Sequence, residues 1–172
     1  MTDCSVCQKK ESMLKVAQVE KNFAFLADPP AVTGHLIVSP NSHNPILDTI
    51  PDFDVGSLFI MANKLSTALF ETLPIQGTNI IIQNGVGADQ SAPHCILHVL
   101  PRKENDGLDF TWSPRTIDEE QMSTIELKIK EAAKNVGVFE KEKKEPMKIE
   151  TKVEELKDTV DNYLIKQINR IP

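Results

Sequence analysis

The stretch His94-Cys95-Ile96-Leu97-His98 places two imidazoles four positions apart around an aliphatic residue. Imidazole changes charge near neutral pH, so such a pair can ligate a metal, move a proton or hold an anion. Read as a strand, residues 94, 96 and 98 share one face and Cys95, Leu97 and Val99 the other, with the two histidines about 7 Å apart. A second constellation is Cys4-x-x-Cys7. The chain has three cysteines, an odd number, and its first ten residues are polar, without the apolar core of a secretory signal. The pair therefore reads as metal or redox chemistry in a cytoplasmic protein and not as a disulfide framework.

These residues need elements to hold them. Phe23–Leu26 and Leu36–Ser39 are short apolar runs around the turn-rich Asp28-Pro29-Pro30 to Gly34, which predicts neighbouring antiparallel strands. From Asp54 to Leu73, Val55, Leu58, Ala62, Leu65 and Leu69 recur at spacings of three and four and make one helical face. Asn79–Ile82 is β-branched and stops at Asn84-Gly85, and His94–Leu100 reads as a further strand ended by Pro101. The pattern predicts an α+β fold with one main helix.

Composition changes near residues 112–116, dividing residues 1–112 from a helical extension at 113–172. Thr116 and Glu119 have capping-box spacing ahead of a stripe of Met122, Ile125, Ile129, Ala133 and Val136, which predicts a helix over about 117–136. A charged linker over 137–149 leads to a last helix at about 150–170 with Val153, Leu156, Val160, Leu164 and Ile168 on one face. That face can pack on its own domain, on a second copy or on a protein partner.

The 172 residues are 40% hydrophobic and 26% charged, enough for one independently folding domain with an appendage. The formal net charge of −6 gives no basic field for non-specific binding to nucleic acid or an anionic membrane. No apolar run approaches the roughly 20 residues of a membrane span.

Gln90-Ser91-Ala92-Pro93-His94-Cys95-Ile96-Leu97-His98-Val99-Leu100-Pro101-Arg102 resembles the signature of the histidine-triad (HIT) family. Gly34-His35-Leu36-Ile37-Val38-Ser39-Pro40, followed by His43, resembles that family's upstream segment, and the likeness extends over about residues 4–112. It implies a HIT-like antiparallel sheet, a homodimer and a cleft for a nucleoside mono- or polyphosphate. In active members the middle histidine attacks the α-phosphorus. Here His94 matches the first triad histidine, His98 the last and Ile96 the middle one, and Ile96 has no lone pair to offer. Cys95 points to the opposite face and does not replace it.

By the same resemblance Gln83 and Ser91 contact phosphate and His35 supports the site from behind. The acid that bonds the ribose in the family is replaced by Ala27. Either Asp28 reaches in from the next position or ribose recognition is weakened. Cys4, Cys7, His43 and His94 match the ligand set of the zinc-containing branch, a closed structural Zn2+ site. The expected function is nucleotide binding without a nucleotidyl-histidine intermediate. The alternatives are a nucleotide phosphohydrolase or nucleotidyl transferase using His98 as acid or base, and a dimeric scaffold acting through the C-terminal helices.

Overall fold

The structure is a computed structural model and describes residues 4–139. The expected last helix and most of the charged linker lie outside the described residues.

Five strands form one antiparallel sheet in the order β1-β2-β3-β5-β4. They are β1 (Lys15–Gln18), β2 (Asn22–Leu26), β3 (Leu36–Pro40), β4 (Gly77–Ile82) and β5 (Leu97–Arg102). A long helix, α2 (Asp52–Thr72), covers one face. It begins two residues earlier than the sequence pattern suggests, after Pro51, with Asp52 and Asp54 in its first turn, where carboxylates complement the helix dipole. Its stripe is as expected. Leu58, Ala62, Leu65 and Leu69 are buried, with Val55 beside them, against Ala24, Leu36, Val38, Leu97 and Val99. Each fully buried leucine contributes roughly 2 kcal/mol.

The opposite face of the sheet is covered at one end by the N-terminal segment. A short helix, α1 (Ser5–Lys9), brings Cys4 and Val6 onto Phe23, Phe25 and Ile96. Neither α1 nor β1 has a sequence signal of its own: α1 is five residues long, and β1 is an exposed four-residue edge strand.

The turn between β2 and β3 is closed by Ala27 N–H donating to the carbonyl of His35 at 2.9 Å. It depends on Gly34, whose φ is +85°. A Cβ there would stand 2.6 Å from Leu73 Cδ1 and 3.3 Å from Pro101 Cγ, so the positive φ strains any other residue and the leucine side chain would have to move as well.

The third helix, α3 (Glu119–Ala132), is capped by Asp118, whose carboxylate accepts from Gln121 N–H at 2.8 Å. This corrects the expected cap at Thr116. Met122, Ile125 and Ile129 are all exposed. No described helix is long and apolar enough to cross a membrane.

Candidate functional site

All four histidines of the chain sit in two clusters. In the first, Cys4, Cys7, His43 and His94 bring one ligand atom each to within 4.8 Å of one another. His94 Nδ1 lies 3.5 Å from Cys4 Sγ and 3.4 Å from Cys7 Sγ, and His43 Nδ1 lies 3.4 Å from Cys7 Sγ. A tetrahedral zinc ion with its usual bond lengths sets sulfur and nitrogen ligands about 3.6 Å apart, so the four residues fit that ion. The orientation of His94 fits as well. Its Nε2 donates to the carbonyl of Pro40 at 3.2 Å, which leaves Nδ1 with the lone pair. Burial and the neighbouring Cys4 push the Cys7 thiol up, so in the absence of a cation this thiol resists ionising. Bound zinc would supply that positive charge and cross-link the N-terminus to two distant segments, with no coordination position left open.

The second cluster is the pair His35 and His98, with His35 Nε2 and His98 Nδ1 2.9 Å apart. The backbone sets their tautomers. Ala31 N–H donates to His35 Nδ1 at 3.1 Å, so the proton of a neutral His35 sits on Nε2 and is donated to His98 Nδ1. The proton of His98 is thereby placed on Nε2, which is buried and has no partner among the described residues. The pair presents one N–H donor. Burial and the adjacent His98 lower the pKa of His35 to about 4, and burial lowers that of His98, so both are neutral at pH 7.

This pairing has a consequence for stability. An unfolded His35 titrates near 6.5 and takes up its proton first as pH falls, while the folded residue stays neutral to about 4. Stability from this residue is present above pH 6.5 and is lost as pH falls toward 4, by about 2–3 kcal/mol. Urea unfolding at pH 7.5 and 4.5 should show a steeper acid loss for the native chain than for His35→Asn. Titration of the Cys2His2 cluster is common to both chains and cancels in the comparison. Equal slopes would reject the assignment.

β5 begins at Leu97, three residues later than the sequence pattern predicts, because the lead-in is held by other bonds. His94 N–H donates to Ala92 O, and Cys95 N–H donates to Asn44 O. Alternation of faces nevertheless runs through the lead-in. Cys95, Leu97 and Val99 pack toward α2, and Ile96 packs with Cys4, Val6, Phe23 and Phe25 on the other face. Cys95 is buried and its pKa is raised to about 11, chiefly by burial, so it is an inert thiol facing away from His98.

A groove of about 630 Å3 opens on the N-terminal side, lined by Lys9, Met13 and Leu14 on one wall and Phe25, Asp28 and His35 on the other. Asp28 and His35 thus share one concavity, and His98 is bonded to its edge through His35. Gln83 follows β4 and is half-buried, and Ser91 is exposed in the loop before His94. Neither lines this groove.

That loop is organised by Gln90, a residue that carried no assigned role in the sequence pattern. Its side chain accepts from Gly85 N–H and donates to the carbonyls of Pro45 and Ala92. Gly85 takes φ +93°, which favours glycine. The signal was available as the first residue of the matched stretch, but amides are common in loops.

A five-stranded antiparallel sheet under one helix, with a Cys2His2 cluster and a paired histidine at a groove, defines a small α+β domain of the HIT type. The chain belongs to that family: the HIT domain matches residues 8–105, more than half of its length. Among curated relatives, the nitrilase and fragile histidine triad fusion protein of Caenorhabditis elegans is 35% identical over 85 residues, which cover 49% of this chain and 19% of that protein. Adenosine 5′-monophosphoramidase of Candida albicans is 26% identical over 133 residues, covering 74% and 88%. Among solved structures, a Zn-bound histidine triad family protein from Mycobacterium smegmatis superposes with a TM-score of 0.59 at 26% identity, over 76% of this chain and 97% of that one.

Proposed function

We propose that the chain binds a nucleoside mono- or polyphosphate and forms no nucleotidyl-histidine intermediate. The observation that carries this reading is the His35–His98 pair, which offers a single fixed N–H donor beside an aliphatic Ile96 at the middle triad position. The apolar groove with Asp28 at its wall suits a base and ribose. Gln83 and Ser91 do not line this groove, so their contact with phosphate would require the ligand to extend beyond it. The Candida relative, named as acting on adenosine 5′-monophosphoramidate, supports the same ligand class. His98 is retained as the group able to give a proton to an oxygen of that ligand. The cation of choice for the Cys2His2 centre is Zn2+ in a structural role, and its thiolates suit a reducing, cytoplasmic setting.

Calorimetry of the zinc-loaded chain with AMP, ADP and GMP tests this. Micromolar binding, about 8 kcal/mol, is expected for at least one of them. His98→Ala should weaken it about 10- to 100-fold, the worth of one hydrogen bond to a charged group. Millimolar or absent binding would reject the reading. Turnover of adenosine phosphoramidate that His98→Ala abolishes would establish an enzyme instead.

The same reading includes a homodimer. β4 is an edge strand, and Phe59, Asn63, Ser66 and Phe70 recur along α2 at spacings of four, three and four. Ser66 bonds Thr78 of β4, so exposed Phe59 and Phe70 flank that edge and give it an apolar border. Light scattering should give twice the chain mass, and Phe59→Asp with Phe70→Asp should halve it. A monomeric native chain would sink this part of the proposal.

A further inference from the structure

The metal cluster and the groove share one short piece of chain. Cys7 is a candidate ligand, and Lys9, two residues on, already lines the groove, followed by Met13 and Leu14. The opposite wall belongs to β2 and the turn after it, which the sheet holds. The N-terminal wall lies outside the sheet and is anchored by side chains, with Lys10 Nζ 4.9 Å over the Phe23 ring and Met13 packed on the Phe23–Phe25 cluster, until β1 joins the sheet at Lys15. α1 is five residues long with no side-chain N-cap, and a helix of that length does not hold itself. Toward the body it has the buried side chains of Cys4 and Val6. After it, Lys10 Nζ is 3.4 Å from Asn41 O, and Leu26 N–H donates to Leu14 O at 3.0 Å.

The geometry points to a coupling between the two sites: metal held by Cys4, Cys7, His43 and His94 fixes the N-terminal wall and thereby sets the affinity of the groove for its nucleotide. This inference rests on the reading of the groove as a nucleotide site. A ligand that needs both walls binds only the population in which α1 is docked, and the metal cross-link raises that population. Linkage makes the effect reciprocal, so nucleotide in the groove must strengthen metal retention by the same factor.

AMP binding to the full chain is measured by calorimetry with zinc, after stripping with EDTA and after zinc is restored. Circular dichroism follows the sheet throughout. A loss of about tenfold or more on stripping, reversed by zinc, is expected. In parallel, zinc release to a chromogenic chelator should slow by a similar factor at saturating AMP. A variant separates wall coupling from general destabilisation. Lys10→Gly with Glu11→Gly loosens the segment between centre and wall, and should keep native zinc retention without AMP while AMP binding weakens and loses its zinc dependence.

Equal AMP affinity of stripped and loaded chains overturns the coupling. If the stripped chain unfolds, zinc release that AMP leaves unchanged overturns it. A glycine variant that keeps the native zinc dependence also does so. A loaded chain that binds no AMP fails one step earlier, and sinks the nucleotide reading along with the coupling.

Discussion

Ile96→His is expected to give the chain a nucleotidyl-transfer activity that runs through a covalent adduct on residue 96. The new imidazole would occupy the sheet face away from α2, two residues before His98, amid Cys4, Val6, Phe23 and Phe25. Ile96 is 7% exposed, so burial would keep the introduced imidazole neutral at pH 7 with an unprotonated ring nitrogen, and adduct formation requires the α-phosphorus to reach that position. In the reaction the imidazole nitrogen forms a bond to phosphorus as the bond to the leaving group breaks, and the leaving group takes the proton on His98 Nε2. Water then resolves the adduct. Burying a polar ring in an apolar cluster costs about 1–3 kcal/mol, which the domain should tolerate. The measurement is acid-quenched mass spectrometry after incubation with adenosine phosphoramidate, looking for an adenylylated chain, together with AMP release. Adding His98→Ala to the variant should cut the gain by at least about 100-fold, the usual worth of a positioned proton donor. If the variant folds, holds zinc and binds AMP yet never forms the adduct, residue 96 is not at the attacking position.

The parts legible in the sequence are those with a period and a boundary. The α2 stripe and strands β2, β3 and β4 each have an apolar repeat ended by proline, glycine or asparagine. Their placement therefore agrees with the structure to within about two residues. α1 and β1 have no such repeat. They are held by tertiary contacts, Cys4 and Val6 beneath Phe23 and Phe25, and by pairing with β2. The members of the Cys2His2 cluster were named through the family resemblance. Their meeting was not, because Cys4 and His94 are 90 residues apart and come together only when α1 lies over the sheet. The His35–His98 bond was hidden for a related reason. It arises from the register that pairs Ile37 with His98, and a single strand pattern does not contain the register of its neighbour. The groove was the least legible part, since half of its wall is Lys9, Met13 and Leu14, ordinary residues made significant by position.

Loss of metal should be the largest single blow to stability, and it should be local in its first effects. Cys4→Ser removes one of four ligands, and the remaining three leave a site open to water and to chelators. The domain has its own core under α2, unlike a zinc finger, so it should not unfold outright. A loss of about 3–5 kcal/mol is expected, well below the roughly 10–16 kcal/mol by which metal stabilises finger peptides, with a fall in Tm on the order of 10–15 °C. Cys95→Ser is the control. That thiol is also buried, but it packs toward α2 and away from the metal cluster, so its replacement should keep full zinc content with a smaller stability loss. Hydrogen exchange supplies the spatial part of the test. In Cys4→Ser, protection should fall first for the Leu26 and Gln8 amides, which depend on the N-terminal segment, while β4 and β5 amides keep theirs. Protection lost evenly across the sheet would mean that the metal supports the whole fold. Zinc content unchanged by both Cys4→Ser and Cys7→Ser would mean that these four residues are not its site.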